Sequence, residues 1–335
     1  MEKTFRALVV EKTEDAFTVE VRERSLDDLP EGDVTIRVCY SSVNYKDGLA
    51  SIPNGRILTR YPMVPGIDLS GIVVDSKDPR FREGDEVLVT GYELGVSHEG
   101  GFSEMALVPG DWVVPLPAGL TLKEAMAIGT AGFTAAMSVH QLMEHGVTPE
   151  KGPVLVTGAT GGVGSSAVAM LAQLGYHVAA STGKDSEHEY LRKLGAKEIL
   201  HRDEVSAESK RALEKERWAG AVDPVGGKTT AYLLRTTRYG GAIALSGLTG
   251  GADLATTVFP FILRGVNLLG IDSVYCPMEL RKKLWERLGS DWKPRGLMAE
   301  IAREVTLDTL KETLAAILRG EVRGRTIVKL GGRDE

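Results

Sequence analysis

The sequence predicts an α/β protein of two domains, a β-rich one and one built on a doubly wound parallel sheet. Three observations carry this. At 335 residues, 43% hydrophobic and 26% charged, the chain is too long for one comfortable core. Its first third reads as short strands and turns. From residue 121 onward, strands alternate with helices of about ten residues, the rhythm of βαβ units.

The elements follow in order. "VTIRVCYSSV" (34–43) puts Val34, Ile36, Val38 and Tyr40 on one face and Thr35, Arg37 and Cys39 on the other, the alternation of a half-buried strand. "PEGDV" and "REGDEVLV" supply glycine and aspartate for the turns that enter strands. "TLKE" (121–124) is a capping box, and the helix it opens is expected to run to His145 with an interruption near Gly129 and Gly132. Then come "PVLVTGA" as a buried strand, "SSAVAMLAQLG" as a helix and "YHVAAS" as a strand. "SEHEYLRKLG" (helix), "AKEIL" and "WAGAVDPV" (strands), "TTAYLLRTTRYGG" (helix), "AIALSGL" (strand), "FPFILRG" (helix) and "VNLLGIDSV" (strand) continue the rhythm. Two helices, near 279–288 and 307–319, and a strand "RTIVKL" close the chain.

Bulk properties exclude several functions. A net charge of −6 argues against a nucleic-acid binder, since phosphate contacts need a basic surface. The N-terminal residues carry acids where a secretory peptide has an apolar core. The longest apolar stretch, 125–139, is broken by glycines and too short to span a membrane. Cys39 and Cys276 offer neither a disulfide framework nor a multi-cysteine zinc lobe. A cytoplasmic enzyme is expected.

The glycine turn "VTGATGGVG" (156–164) lies between a strand and a helix, the context in which such a motif binds a dinucleotide. Ala159, Gly161 and Gly164 take the three fingerprint positions. Thr160, Gly161, Gly162 and Val163 are placed to meet a pyrophosphate with backbone amides. At the end of the next strand an NAD site carries an acid for the ribose 2′-hydroxyl. Here the chain reads "VAASTGK", with Ser181 and Lys184 instead, and Arg202 after the following strand. A hydroxyl and two cations suit a 2′-phosphate, so NADPH is the expected cofactor. The plainer alternative is that Lys184 and Arg202 are solvated surface charges.

Taken whole, the chain resembles the medium-chain dehydrogenase/reductase superfamily. The resemblance is carried by "PGIDLSGIVVDS" (65–76), "GDEV" (84–87), "GTAGFTA" (129–135) and the glycine cradle. "SSVNYKDGLA" (41–50), "VDPVGG" (222–227) and "FPFILRGVNLLGIDSV" (259–274) are similar to its YhdH/YhfP-type group of quinone oxidoreductases and acrylyl-CoA reductases. The resemblance implies a GroES-like catalytic domain over 1–120 and 275–335, and a Rossmann NADPH-binding domain over 121–274. It implies a homodimer joined through the edge strand 266–274. It also puts Thr134, Gly247, Leu248 and Arg325 near the cofactor. The superfamily's zinc alcohol dehydrogenases hold their metal with a cysteine, a histidine and a second cysteine. Those positions here read Asn44, Ile67 and Ala131, none of them such a ligand, so no metal is expected.

Without a Lewis acid, hydride suits an acceptor that is already electron-poor. Two fit: the carbon–carbon double bond of a small enoyl-CoA, and a quinone. The resemblance favours the first. Asn44 and Tyr45 are the candidate donors to the developing enolate oxygen. Lys46 and Asp47 suit a ribose or structural contacts, and Tyr45 can equally be a rim tyrosine. Arg56, Arg60, Arg264 and the run 281–293 are cations available to coenzyme A, with Arg264 favoured. The run also reads as an amphipathic helix with a solvated face. Asp223 is either a ligand contact or a turn-capping acid. A third reading, of another class, is a non-catalytic NADPH-binding or sensor protein.

Overall fold

The computed structural model describes residues 4–331. In chain order the strands and helices are β1 (Thr4–Lys12), β2 (Phe17–Ser25), β3 (Val34–Val43), α1 (Tyr45–Ala50), β4 (Asp68–Ser76), β5 (Glu86–Thr90), β6 (Met105–Val108), β7 (Val114–Pro115) and α2 (Leu122–Glu144). They continue as β8 (Val154–Val156), α3 (Gly162–Gln173), β9 (Val178–Thr182), α4 (His188–Lys193), β10 (Glu198–His201), β11 (Trp218–Asp223), α5 (Gly227–Thr236), β12 (Thr237–Leu245), α6 (Phe259–Arg264) and β13 (Asn267–Gly270). The last are α7 (Met278–Leu288), β14 (Ala302–Thr306), α8 (Leu310–Leu318) and β15 (Arg325–Lys329).

Contacts divide the chain into two compact units. The first holds residues up to Thr130, Val274–Gly289 and those from Ala302 on; the second holds Ala131–Ser273 and Ser290–Ile301. Two boundaries therefore differ from the sequence expectation. The first falls ten residues later than 120, next to Gly129, where α2 leaves helical geometry (φ 50°, ψ −162°). The second arises because 290–301 packs with α3, Gln173 donating its side-chain amide to the Asp291 carbonyl at 2.7 Å.

The first unit is β-rich, as expected. Its seven-stranded sheet runs β14-β15-β3-β4-β5-β7, with β6 also on β3, beside the β1–β2 hairpin. In β3 the alternation holds through Val38 and then fails: Cys39 is buried and Tyr40 half-buried. The β3–β4 register shifts between Val38 and Tyr40, and a bulge of this kind turns later side chains to the other face. Ser41, Ser42 and Asn44 are thereby buried.

The second unit carries a six-stranded parallel sheet in the order β10-β9-β8-β11-β12-β13, the doubly wound arrangement the alternation predicted. Strand order reverses between β8 and β11, and ligands gather at the C-terminal ends of strands at such a point. The predicted helix 229–241 is shorter than expected: Thr237–Gly241 already belong to β12, whose β-branched first residue suits a strand. The "TLKE" box is present, the Glu124 amide donating to the Thr121 hydroxyl at 3.2 Å and the Thr121 amide to the Glu124 carboxylate at 3.0 Å. Among the described residues no helix is long and apolar enough to cross a membrane.

Candidate active site

The second unit builds its site on the turn after β8. All three residues of β8 are buried. The Thr157 amide donates to the Val222 carbonyl and the Ala159 amide to the Ser181 carbonyl, each at 3.0 Å, so the turn is fastened to the strand on either side. Gly158 has φ 53°, and a Cβ at Gly164 would lie 2.3 Å from the Gly158 carbonyl oxygen. Gly164 is thus the glycine that lets helix meet strand. A Cβ on Gly161 would find its nearest neighbour at 3.4 Å, leaving room at the N-cap of α3. The first amides of α3 point there without intrahelical acceptors. Such a cradle fits a pyrophosphate.

Beside it, at the end of β9, Ser181 and Thr182 are buried. A Cβ on Gly183 would lie 2.3 Å from Nε and 2.6 Å from Cζ of Arg202. The guanidinium therefore packs over this glycine, next to Lys184. Among the described residues neither cation forms an ion pair, whereas the neighbouring Asp185 and Asp203 lie beside His188 and His201. Thr134 is buried in α2 and donates to Ser273 Oγ at 2.9 Å. Gly247 follows β12, where a Cβ would meet the Pro224 carbonyl oxygen at 2.1 Å; Leu248 beside it is exposed.

Asp223 proves to be the capping acid. Thr157 and Thr230 donate to it at 2.6 Å, and the amides of Val225 and Gly226 at 3.0 and 3.2 Å.

The first unit contains a buried charged cluster around Asp68, a residue that sequence reasoning passed over. Asp68 accepts from Ser42 Oγ at 2.5 Å, Asn44 Nδ2 at 2.8 Å, the Thr130 amide at 2.9 Å and the Thr130 hydroxyl. Its signal in the sequence is a single acid opening the apolar run "DLSGIVV". Arg325 lies 3.6 Å from Asp68 and is 2% exposed. It donates to Ser42 Oγ at 2.7 Å, the Val43 carbonyl at 3.0 Å, Asn44 Oδ1 at 3.1 Å and the Ala127 carbonyl at 3.3 Å. Burial pulls its guanidinium below the usual arginine value, against the pull of Asp68 and Asp47. Asp47 accepts the amides of Asn44 (2.8 Å) and Ile67 (3.0 Å). Burial first, then the Asp68 charge, raises its carboxyl to about 7.

Three of the expected residues are engaged by the protein itself. Asn44 is not an open donor: its amide nitrogen serves Asp68 and its amide oxygen serves Arg325. Arg325, expected near the cofactor, has its guanidinium enclosed by the protein acceptors just named. Arg264, favoured above as a substrate cation, is engaged with backbone carbonyls. It donates to the carbonyls of Arg235 (2.8 Å), Thr237 (3.4 Å) and Glu214. Thr237 opens β12, so Arg264 lies at the N-terminal end of the parallel strands, opposite the cradle.

Other expected residues keep their standing. Tyr45 is 43% exposed at the first position of α1, and its hydroxyl has no hydrogen-bond partner among the described residues. Arg56 and Arg60 are exposed and form no ion pair among the described residues. Residues 281–288 of the 281–293 run lie in the amphipathic helix α7, with Arg281, Leu284, Trp285 and Leu288 buried; 289–293 follow it outside the helix.

Residues 30–118 match the Alcohol dehydrogenase GroES-like domain family and 162–290 the Zinc-binding dehydrogenase family. The second name implies a metal, but the donors do not fit one. Ile67 and Ala131 have apolar side chains, and both ends of the Asn44 amide are engaged. The chain is 57% identical to "Putative quinone oxidoreductase YhfP" of Bacillus subtilis, over 98% of this chain and 100% of the relative. It is 52% identical to "Acrylyl-CoA reductase AcuI" of Ruegeria pomeroyi, over 97% and 98%. A crystal structure of Salmonella enterica yhdH with NADP superposes with a TM-score of 0.95 at 50% identity, covering 97% of this chain and 100% of that one. Bacillus subtilis yhfP with NAD bound gives a TM-score of 0.95 at 57% identity, covering 98% and 99%. The chain belongs to the medium-chain dehydrogenase/reductase superfamily, as an oxidoreductase of the kind formed by YhfP, YhdH and AcuI.

Proposed function

We propose that this protein is an NADPH-dependent reductase of the activated carbon–carbon double bond of a small, acrylyl-CoA-like enoyl thioester. The observation that carries this is its end-to-end likeness, at 52% identity, to AcuI. NADPH, when bound, supplies a hydride. The chain's own residues do the rest. The amides at the start of α3 and the Gly158–Gly164 turn hold the pyrophosphate. Ser181, Lys184 and Arg202 hold the 2′-phosphate, which an acid at the end of β9 would repel. Thr134 and Gly247–Leu248 complete the cofactor contacts. With Asn44 engaged, Tyr45 is the donor for the charge that develops on the thioester carbonyl oxygen. The buried Asp68–Arg325 cluster fixes the backbone of residues 42–47 and so the base of that tyrosine. Arg56 and Arg60 are the first unit's candidates for coenzyme A phosphates.

A second reading, NADPH:quinone oxidoreductase, is favoured by the 57% identity to YhfP. A non-catalytic NADPH binder is the third. Loss of nicotinamide absorbance with acrylyl-CoA, crotonyl-CoA and a benzoquinone separates them. Preferred turnover of acrylyl-CoA is expected. Turnover of the quinone alone supports the second reading, and NADPH binding without any turnover supports the third.

We further propose a cytoplasmic homodimer. Cys39 and Cys276 are buried and not disulfide-bonded, which suits a reducing compartment. β13 ends its sheet with an open edge, and next to it α6 exposes Ile262 (68%) and Leu263. An open edge beside apolar side chains is a surface that soluble proteins cover.

A further inference from the structure

The second unit has a cavity of about 380 Å3 lined by Glu198, Lys215, Glu216, Arg217, Trp218 and Arg238. Glu198 opens β10, Trp218 opens β11 and Arg238 is the second residue of β12. The cavity therefore lies where the parallel strands begin, at the end of the sheet away from the glycine cradle. Trp218 is wholly buried, and the Arg217 guanidinium lies 4.3 Å from its ring centre. Both acids of the cavity already have partners. Glu198 accepts from Arg217. Glu216 accepts the Tyr239 amide at 3.2 Å and lies 3.5 Å from Nε of Arg264, which comes from α6. Lys215 and Arg238 are left over: among the described residues neither forms an ion pair, and Lys215 is exposed. Arg238 is nevertheless held in place. Its Nε donates to the Arg217 carbonyl at 3.1 Å and its Nη1 to the Lys151 carbonyl at 2.6 Å. The guanidinium lies against Gly152, where φ is 124° and a Cβ would stand 2.2 Å from Nη1 and 2.7 Å from Cζ. A side chain at 152 would push the arginine away.

Neutral carbonyls satisfy two of the five N–H groups of this arginine and leave its charge. Nη2 has no acceptor among the described residues. A guanidinium fixed in this way loses little freedom when it meets a ligand, and planar donors of this kind match phosphate oxygens. Two cations without a counter-charge call for a dianion, since a monocarboxylate would balance only one of them. A phosphate group carries about −1.5 to −2 charges at neutral pH. We propose that this cavity is a second anion site, which takes the phosphate group of a small molecule. Arg238 and Lys215 are its ligands, and Gly152 with the carbonyls of Lys151 and Arg217 positions Arg238. The site is separate from the cofactor's, because the Gly158–Gly164 turn follows β8 at the opposite ends of the strands. Its volume is in the range of small-molecule sites.

The test is calorimetry on the full chain with inorganic phosphate, glycerol 3-phosphate and acetate, in saturating NADP+ so that the cradle is filled. At least one of the two phosphates should bind with a Kd of about 1 mM or lower, the reach of two charge-assisted contacts. Acetate should bind at least about tenfold more weakly. Lys215→Ala and Arg238→Gln should each weaken phosphate binding about tenfold or more. Arg202→Ala, at the cradle, should leave it within about twofold. Lys215 has no partner to lose, so its variant reads the site even if Arg238→Gln folds poorly. The tighter of the two phosphates identifies the source, free phosphate or an ester. No binding of either at about 10 mM, equal affinity for acetate, or a Kd unmoved in Lys215→Ala would each overturn the proposal.

Discussion

Asp47 holds a proton in the folded protein that it releases on unfolding. Its carboxyl is raised to about 7 by burial and then by Asp68, against about 3.9 in an unfolded chain. Between about pH 4 and pH 7 the folded state binds more protons, so stability falls as pH rises, by up to about 1.4 kcal/mol per pH unit, and levels off above 7. Urea midpoints should therefore drop from pH 5 to pH 7. Asp47→Asn should flatten that slope and cost about 1–3 kcal/mol, because one of the two amides now accepted at 2.8 and 3.0 Å would face an NH2 group. Identical slopes in the two proteins would refute this. At the cradle, Lys184→Ala and Arg202→Ala should each raise the KM for NADPH by roughly tenfold or more and leave that for NADH nearly unchanged, the size of a charge-assisted hydrogen bond. Ser181→Asp should collapse or invert the preference, since it sets a carboxylate against the phosphate. Equal use of both cofactors by wild type would count against the assignment.

Among the elements, α2 depends most on one residue. Gly129 has φ 50°, and a Cβ there would lie 2.4 Å from Nη2 of Arg325, 2.6 Å from Ser42 Oγ and 2.7 Å from Asp68 Oδ2. Gly129→Ala combines backbone strain with a clash against a buried ion pair. It should destabilise by about 2–5 kcal/mol, read as a lower urea midpoint; a loss under about 1 kcal/mol would show that the cluster can move aside. The interruption itself was legible, because glycine within a capped helix marks a break. Also legible were the parallel sheet, from its alternation, and the cradle, from glycine spacing between strand and helix. What escaped were α1, β14 and the partners of Arg325. α1 has six residues with Gly48 among them, a poor helix signal. β14 pairs along one side only and is half exposed. Asn44 and Arg325 were read as open side chains because their acceptors, Asp68 and the carbonyls of Val43 and Ala127, come from distant parts of the chain. Only the folded sheet brings those together.

For the whole molecule, the open edge of β13 and the apolar face of α6 lead to a prediction of quaternary structure. Sedimentation at micromolar concentration should give a dimer of the 36.1 kDa chain, and Ile262→Lys with Leu263→Lys should shift it toward monomer. A stable monomer in wild type would remove the argument.

The ion pair of Asp68 with Arg325 also sets an order of assembly during synthesis. Asp68 leaves the ribosome well before Arg325, and Ala131–Ser273, most of the second unit, is translated between them without interruption. Until β15 arrives, the nascent first unit must keep the Asp68 carboxylate without the guanidinium that pairs with it. A buried charge stripped of its partner is strongly destabilising, so the amino-terminal half should stay open while the parallel sheet closes around its own continuous segment. A chain ending at Leu318 should then yield, on limited proteolysis, a resistant fragment from the second unit and rapid cleavage within residues 4–120. Equal resistance throughout would mean that the first unit closes without its last strand.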